Sequence, residues 1–357
     1  MKILFVVPAI AFGGAERVIS ILSNEWGKKG HKLYIISMDD MKRCTYQFAS
    51  DVEVDFIPPA IFKKKIDIFK TFLNVSKAIS KRKPDVVVSF ISSTAVFSIP
   101  YAFFTRTPLV YSERNDPNQI KEKKAQWFQK MAITFSKHVV FQTKEAQSFY
   151  GAKVDKKSSV IPNPFDSNLL PCDRYNGKRK KIIVSVGRLT KQKNQRLLID
   201  AFSKVNLFHP DYELVIYGEG ELRSELESKI EQLNLSNKAF LPGIQKDILK
   251  SIDGASVFAL TSDYEGIPNA LIEAMAMGIP CVSTDCSPGG ARSLIDNGVN
   301  GFLVPCNDIT ELSDKINYYI ENPDIAEQIG QEASKICDTL NPQFIAQQWL
   351  DVFERIM

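Results

Sequence analysis

The chain has 357 residues, too many for one ordinary domain and comfortable for two. Its 44% hydrophobic and 24% charged residues exclude a disordered or fibrous chain and match a globular enzyme. The net charge of +4 hides an asymmetry: residues 1–165 carry 26 Lys and Arg against 14 Asp and Glu, a net +12, and the remainder carries a net −8. Only the first half is therefore suited to an anionic surface.

The first expected strand is Ile3–Val7. The run Ile3–Phe12 follows one lysine and resembles a short signal-peptide core, but no A-x-A-like cleavage site follows. The chain passes straight into Gly13-Gly14, as a buried first strand does. An amphipathic helix is expected over Ala15–Lys28 and a strand over Lys32–Ser37. Segment Ile61–Lys83 carries eight basic residues (Lys63, Lys64, Lys65, Lys70, Lys77, Lys81, Arg82, Lys83) against a single acid, Asp67. Ile61, Phe62, Ile66, Phe69, Phe72, Leu73 and Ile79 give it an apolar stripe. Such a helix can rest on an anionic membrane or guide a diphosphate-bearing lipid. It can equally be a domain helix with a solvated basic face. Lys121, Lys123, Lys124 and Lys130 around Trp127 add to the same basic side.

The uncharged stretch Val86–Thr105 is long enough to span a bilayer. Ser89, Ser92, Ser93, Thr94, Ser98 and Pro100 within it favour a buried strand (Asp85–Phe90) followed by a short helix. Strands at Pro108–Ser112 and His138–Gln142 complete this series. Between Ile161 and Lys181, Pro162, Pro164 and Pro171 cluster with Asn163, Asn168, Asn176 and Gly177, which is linker chemistry. A second series runs through Lys181–Val186, Glu213–Tyr217, Ala239–Leu241, Ser256–Thr261 and Pro280–Ser283. These runs are short, continuous and rich in Val and Ile, as strands covered on both faces should be. Their alternation with helical patterns predicts an α/β chain with two doubly wound parallel sheets. The expected domains are 1–165 and 166–342, facing each other across a cleft lined by the carboxyl ends of the strands. The last helix, within 343–357, presents Phe344, Ile345, Trp349, Leu350, Phe353 and Ile356 and is expected to pack back on the first domain.

The most specific string, Glu265-Gly266-Ile267-Pro268-Asn269-Ala270-Leu271-Ile272-Glu273, follows a strand and opens a helix. Pro268 sits near the first turn, where a missing N–H costs nothing. Unpaired N–H groups and the dipole at such a helix start suit a diphosphate. Glu273 lies one turn in and leans back toward the helix start, where a carboxylate can accept from both vicinal hydroxyls of a ribose. Glu265, in the preceding loop, is nearer the place a sugar would occupy beyond the phosphates. The bland alternative is a capping loop with two solvated glutamates. Gly187-Arg188-Leu189 ends one strand and Lys193 begins the next helix. Both cations are placed to stabilise a diphosphate leaving group as it gains charge, or they are surface residues of a βα loop. Gly218 and Gly220 close another strand and either admit a flat base or ribose or make a tight turn. In the first half, Gly13 and Gly14 open a helix next to Arg17. Glu113, Arg114 and Asp116 end a strand, offering acceptor contacts, a proton acceptor, or a plain loop.

The six cysteines show no CxxC pair and read as reduced thiols. His31, His138 and His209 are scattered and read as structural, so no metal cluster is expected.

The chain resembles the retaining glycosyltransferases of family 4, which have the GT-B fold of two facing Rossmann-like domains. The resemblance rests on GGAER at Gly13–Arg17, GRLTKQKN at Gly187–Asn194, GEGELR at Gly218–Arg223 and EGIPNALIEAMAMGIP at Glu265–Pro280, and spans nearly the whole chain. It implies a nucleotide-sugar donor, UDP-linked, held mainly by the second domain. Arg188 and Lys193 would act on the diphosphate, Glu273 on the ribose and Glu265 on the hexose. Gly187, Gly218, Gly220, Gly266, Ile267, Pro268, Asn269 and Ala270 would line the donor, with Gly14 approaching from the first domain. It also implies no metal cofactor, and transfer of a hexosyl or N-acetylhexosaminyl group to a glycan or polyprenyl-diphosphate-linked acceptor in bacterial surface polysaccharide synthesis. The location implied is the cytoplasm, at the inner face of the cell membrane. Some relatives have histidine in place of Arg114. The competing readings are a sugar-nucleotide epimerase or phosphorylase of the same architecture, and a basic nucleic-acid or membrane-binding module. No nucleic-acid partner is expected on the favoured reading.

Overall fold

The computed structural model describes residues 1–10, 14–39, 48, 52–57, 65–171 and 177–357, with only the backbone of 65–68. Two compact units emerge, Met1–Pro164 with Leu340–Met357, and Phe165–Thr339.

The first unit contains, in chain order, β1 (Lys2–Val7), α1 (Gly14–Lys28), β2 (Lys32–Ser37), β3 (Glu53–Phe56), α2 (Lys65–Arg82), β4 (Val86–Ser89), α3 (Ser92–Thr105), β5 (Leu109–Glu113), α4 (Lys123–Phe135), β6 (His138–Phe141), α5 (Lys144–Ser148), α6 (Ala152–Asp155) and β7 (Ser158–Val160). Its strands pair in parallel in the order β3-β2-β1-β4-β5-β6-β7. The second unit contains β8 (Lys180–Val186), α7 (Gln195–Phe208), β9 (Glu213–Tyr217), α8 (Arg223–Gln232), β10 (Ala239–Gly243), α9 (Ile248–Ile252), β11 (Ala255–Leu260), α10 (Asn269–Ala276), β12 (Cys281–Thr284), β13 (Phe302–Val304), α11 (Ile309–Glu321), α12 (Pro323–Ser334) and α13 (Ile336–Thr339). Its sheet is also parallel, in the order β10-β9-β8-β11-β12-β13. Both sheets are doubly wound. Strand order reverses between β1 and β4 in one and between β8 and β11 in the other, and ligand sites of such sheets form at these switch points.

The strands form where both faces are covered. In β1, Ile3 and Phe5 face one helical layer, and Leu4 and Val6 face the other. The first layer includes the final helix, α14 (Pro342–Ile356), whose start is fixed by the Asn341 side chain and Pro342 in its first turn. Trp26 of α1 stacks on Phe5 at 5.8 Å and meets Phe353 edge-on at 5.5 Å, and its Nε1 donates to the Ala346 carbonyl at 3.0 Å. Ile345, Trp349, Leu350 and Phe353 of α14 are buried, whereas Phe344 faces solvent. Burial of each such side chain contributes about 2 kcal/mol.

The uncharged stretch after Val86 is strand β4 followed by the 14-residue α3. Among the described residues no helix is long and apolar enough to cross a membrane. Cys281, Cys286 and Cys306 are free thiols and Cys337 is partly buried; Cys44 and Cys172 lie outside the described residues.

Candidate active site

In the second unit, the loops leaving β8 and β11 lie side by side at the switch point. The Asp263 amide donates to the Gln192 carbonyl at 2.9 Å, and Thr261 Oγ1 to the Lys193 carbonyl at 3.1 Å. Gln192 Nε2 donates to the Tyr264 carbonyl at 3.0 Å, and Asn194 Nδ2 to Asp263 Oδ1 at 2.8 Å. On this seam, Lys193 Nζ donates to Glu265 Oε2 at 2.6 Å, and both side chains are largely buried. Ser262 Oγ and Gln192 Nε2 reach the same carboxylate oxygen at 3.3 and 3.4 Å. Arg188 behaves differently. Its side chain is exposed and has no ion-pair or hydrogen-bond partner among the described residues. Since the charges of Lys193 and Glu265 offset each other, Arg188 is an uncompensated cation of this seam, as is the exposed Lys191 of the same loop.

The glycines of this region are set by close backbone approach. A Cβ on Gly218, at φ +139°, would lie 1.9 Å from the Gly187 carbonyl oxygen, and one on Gly220 would lie 2.2 Å from that of Leu189. The Leu189 amide donates to the Glu219 carbonyl, and the Leu222 amide to the Leu189 carbonyl. Gly218 and Gly220 thus hold one loop against the loop that carries Arg188, so local packing accounts for both. Gly187 is open enough for an ordinary contact with the Lys193 side chain at 3.4 Å.

Gly266 has a partner absent from the sequence reading. A Cβ on Gly290 would fall 1.6 Å from the Gly266 carbonyl oxygen, and the Glu265 amide donates to the Ser287 carbonyl at 2.9 Å. Ser287–Gly290, with a cis Ser287-Pro288 bond, therefore braces the Glu265 loop from behind. The double glycine just after a strand was the available signal. Ile267 and Pro268 are buried, and Pro268, the N-cap residue of α10, offers no side-chain hydrogen bond to the first turn at Asn269 and Ala270. Glu273, five residues into the helix, is buried at 6% exposure. A carboxylate placed there is rare unless it is bonded.

In the first unit, Glu113 ends β5 wholly buried. Its carboxylate accepts from Tyr111 Oη (2.7 Å), Gln129 Nε2 (2.8 Å), Tyr150 Oη (3.4 Å) and the amides of Arg114 and Asn115 (3.1 Å each). Burial pushes it above the usual carboxylate range, and the hydrogen bonds oppose that rise. Asp116 caps the turn Pro117–Gln119 by accepting from the Asn118 amide at 2.9 Å. Both acids hold the loop in shape. Between them the Arg114 guanidinium lies 3.9 Å over the Phe90 ring and donates to Asn163 Oδ1, which also accepts from Gln142. It has no carboxylate partner among the described residues, and burial pulls it down to about 9. Gly14 and Arg17 lie in the first turn of α1; Gly13 is outside the described residues. His138 in β6 bonds Ser159 Oγ at 2.9 Å. Among the described residues no three His, Cys, Asp or Glu side chains are grouped to hold a metal ion.

Two sequence families match the chain: "Glycosyltransferase Family 4" over residues 12–169 and "Glycosyl transferases group 1" over residues 174–336. A Campylobacter jejuni α-1,4-N-acetyl-D-galactosaminyltransferase named for a diNAcBac-PP-undecaprenol-linked substrate is 26% identical, covering 100% of this chain and 99% of its own. The amylovoran biosynthesis glycosyltransferase AmsD of Erwinia amylovora is 24% identical, covering 98% and 99%. Among solved structures, Anabaena HepE in complex with UDP and glucose superposes with a TM-score of 0.85 at 22% identity, covering 99% of each chain. That likeness establishes a shared fold.

Proposed function

The chain is a glycosyltransferase belonging to family 4, with the GT-B fold, and we propose that it moves a hexosyl or N-acetylhexosaminyl group from a UDP-sugar to a lipid-linked glycan with retention of configuration. The observation that carries this reading is the meeting of Lys193 and Glu265 at the switch point of the second sheet, on the loop that also carries Arg188 and on the loop that leads into α10. The activity for which the Campylobacter relative is named supports the acceptor class, and the UDP and glucose held by HepE support the donor.

On this reading Glu273 accepts from the ribose hydroxyls, and the first turn of α10 with Gly266–Ala270 meets the diphosphate. Gly187, Gly218 and Gly220 shape the neighbouring loops. Arg188 takes the charge that grows on the β-phosphate as the C1–O bond breaks, and Lys193 shares its proton donors between that phosphate and Glu265. These two cations are proposed to serve in place of a divalent metal. Glu265 contacts the hexose. The acceptor hydroxyl attacks C1 from the face the diphosphate is leaving. It gives its proton to the departing phosphate oxygen, so free UDP and the new glycosidic bond are the products. Arg114 and Arg17 of the first unit are assigned to anionic or hydroxyl groups of the acceptor, while Glu113 and Asp116 hold the Arg114 loop. A polyprenyl-diphosphate acceptor would bring the enzyme to the cytoplasmic membrane face, with the basic segment 61–83 as the contact.

The test is product analysis with UDP-sugars and a polyprenyl-diphosphate-linked glycan. The reading requires UDP release with a new bond of the donor's own anomeric configuration. An isomerised nucleotide sugar or a free sugar phosphate would instead establish an epimerase or phosphorylase.

A further inference from the structure

We propose that the outer face of α2, α3 and α4 together is a membrane-docking surface for anionic lipid bilayers, with aromatic side chains entering the headgroup region. This deepens the contact through the basic segment 61–83 proposed above, of which 61–64 lie outside the described residues, and it is tested by binding alone, so it stands or falls separately from sugar transfer.

The three helices form one layer on the first sheet. Their inward residues, including Val75, Ile79, Phe97, Tyr101, Ala132 and Ile133, are buried. Neighbouring helices are joined through rings, Phe72 to Phe97 at 4.8 Å and Phe97 to Phe128 at 6.2 Å. Hydrophobic side chains are therefore already committed to the core on one side. Six more large ones nevertheless face outward: Phe69 (62% exposed), Leu73 (54%), Phe103 (70%), Phe104 (83%), Trp127 (51%) and Phe135 (49%). Scattered exposed apolar residues need no explanation, but a set of this size on one layer marks an interaction surface.

Charge identifies the occupant. Lys70, Lys77, Lys81, Lys123, Lys124 and Lys130 are exposed on the same helices, and no described side chain of the three is acidic. Arg106 and Lys137 follow α3 and α4. Together with Phe103 and Phe135 they line a cavity of about 660 Å³. Cations flanking exposed aromatic rings match the headgroup zone of an anionic leaflet, where rings sit at the interface and each lysine is attracted by the surface potential. A second copy of the chain fits poorly, because a two-fold contact through this layer would set like charges against each other. A nucleic acid is less well matched by a broad helical layer than by a groove with stacking platforms.

The experiment is co-sedimentation with vesicles of phosphatidylcholine alone or with phosphatidylglycerol, read beside tryptophan emission. Trp26 and Trp349 are fully buried, so a lipid-induced change in emission reports Trp127. The proposal expects binding to the phosphatidylglycerol vesicles that weakens with salt, together with a blue shift that Trp127→Phe abolishes. Phe103→Ser with Phe104→Ser should weaken binding by ~10-fold or more, whereas Leu207→Ser with Phe208→Ser, exposed on α7 of the other unit, should leave it unchanged. Absence of vesicle binding would overturn the proposal. So would equal loss in both double variants, an unshifted emission on binding, or retention of a short RNA without retention of vesicles.

Discussion

Lys193 and Glu265, 72 residues apart, meet at 2.6 Å and tie the loop after β8 to the loop after β11. Arg188, one residue into the same β8 loop from Gly187, has no such partner. The two cations assigned to the diphosphate therefore stand in different electrostatic states, and their replacement should separate function from stability.

Arg188→Ala should leave the melting temperature nearly unchanged, as expected for an exposed side chain without partners, while lowering kcat/KM by at least ~10²-fold. Lys193→Met should lower both, because it leaves the largely buried Glu265 with only Ser262 and Gln192 and costs about 1–3 kcal/mol. Thermal unfolding and steady-state kinetics on both variants decide the matter; unchanged kinetics in Arg188→Ala would remove it from the site.

Gly290→Ala should damage activity through the Glu265 loop that it never replaces. The added Cβ would sit 1.6 Å from the Gly266 carbonyl oxygen, so that backbone must move. A fall in kcat/KM of ~10-fold or more is expected, the scale of a displaced positioning group. Wild-type kinetics with a lowered melting temperature would restrict Ser287–Gly290 to a structural role.

The strands covered on both faces were legible as continuous apolar runs, and Lys32–Ser37 and Glu213–Tyr217 coincide with β2 and β9. Three strands were not read: Glu53–Phe56, Ser158–Val160 and Phe302–Val304. All three lie at sheet edges, span three or four residues and are only partly buried, so no apolar run announces them. The placement of Arg188, Lys193 and Glu265 at strand ends followed from strand–loop–helix order. The Lys193–Glu265 pairing and the Gly290 brace did not, because they join loops of different strands. Gly218 and Gly220 show the same limit: glycine in a loop signals close approach, and only the fold shows that the approaching group is the backbone at Gly187 and Leu189.

Glu113 illustrates how burial changes a candidate proton acceptor into an anchor. Five donors converge on its carboxylate, so Glu113→Ala should cost about 3 kcal/mol by leaving them unsatisfied. Glu113→Gln should lower the melting temperature while retaining turnover. A general base would show the opposite pattern, with kcat reduced at least ~10²-fold and stability intact.

His138 sets a pH limit on the first unit. Burial pushes its imidazole down from 6.5 to about 4. Between those values the unfolded chain binds a proton that the folded chain refuses. The associated stability is thus complete above pH 6.5 and is lost as pH falls toward 4, on the order of 3 kcal/mol in all. His138→Gln should flatten the fall in melting temperature across that window, and an unchanged slope would assign the acid sensitivity elsewhere.

Isothermal titration with UDP, on the intact chain with and without EDTA, tests the donor site most directly. The account predicts binding that EDTA leaves unchanged and that Glu273→Ala weakens by at least ~10-fold, the loss expected for a charged hydrogen-bond acceptor. Equal affinity in Glu273→Ala, or no binding of any nucleoside diphosphate, would contradict the placement of the donor at the switch point of the second sheet.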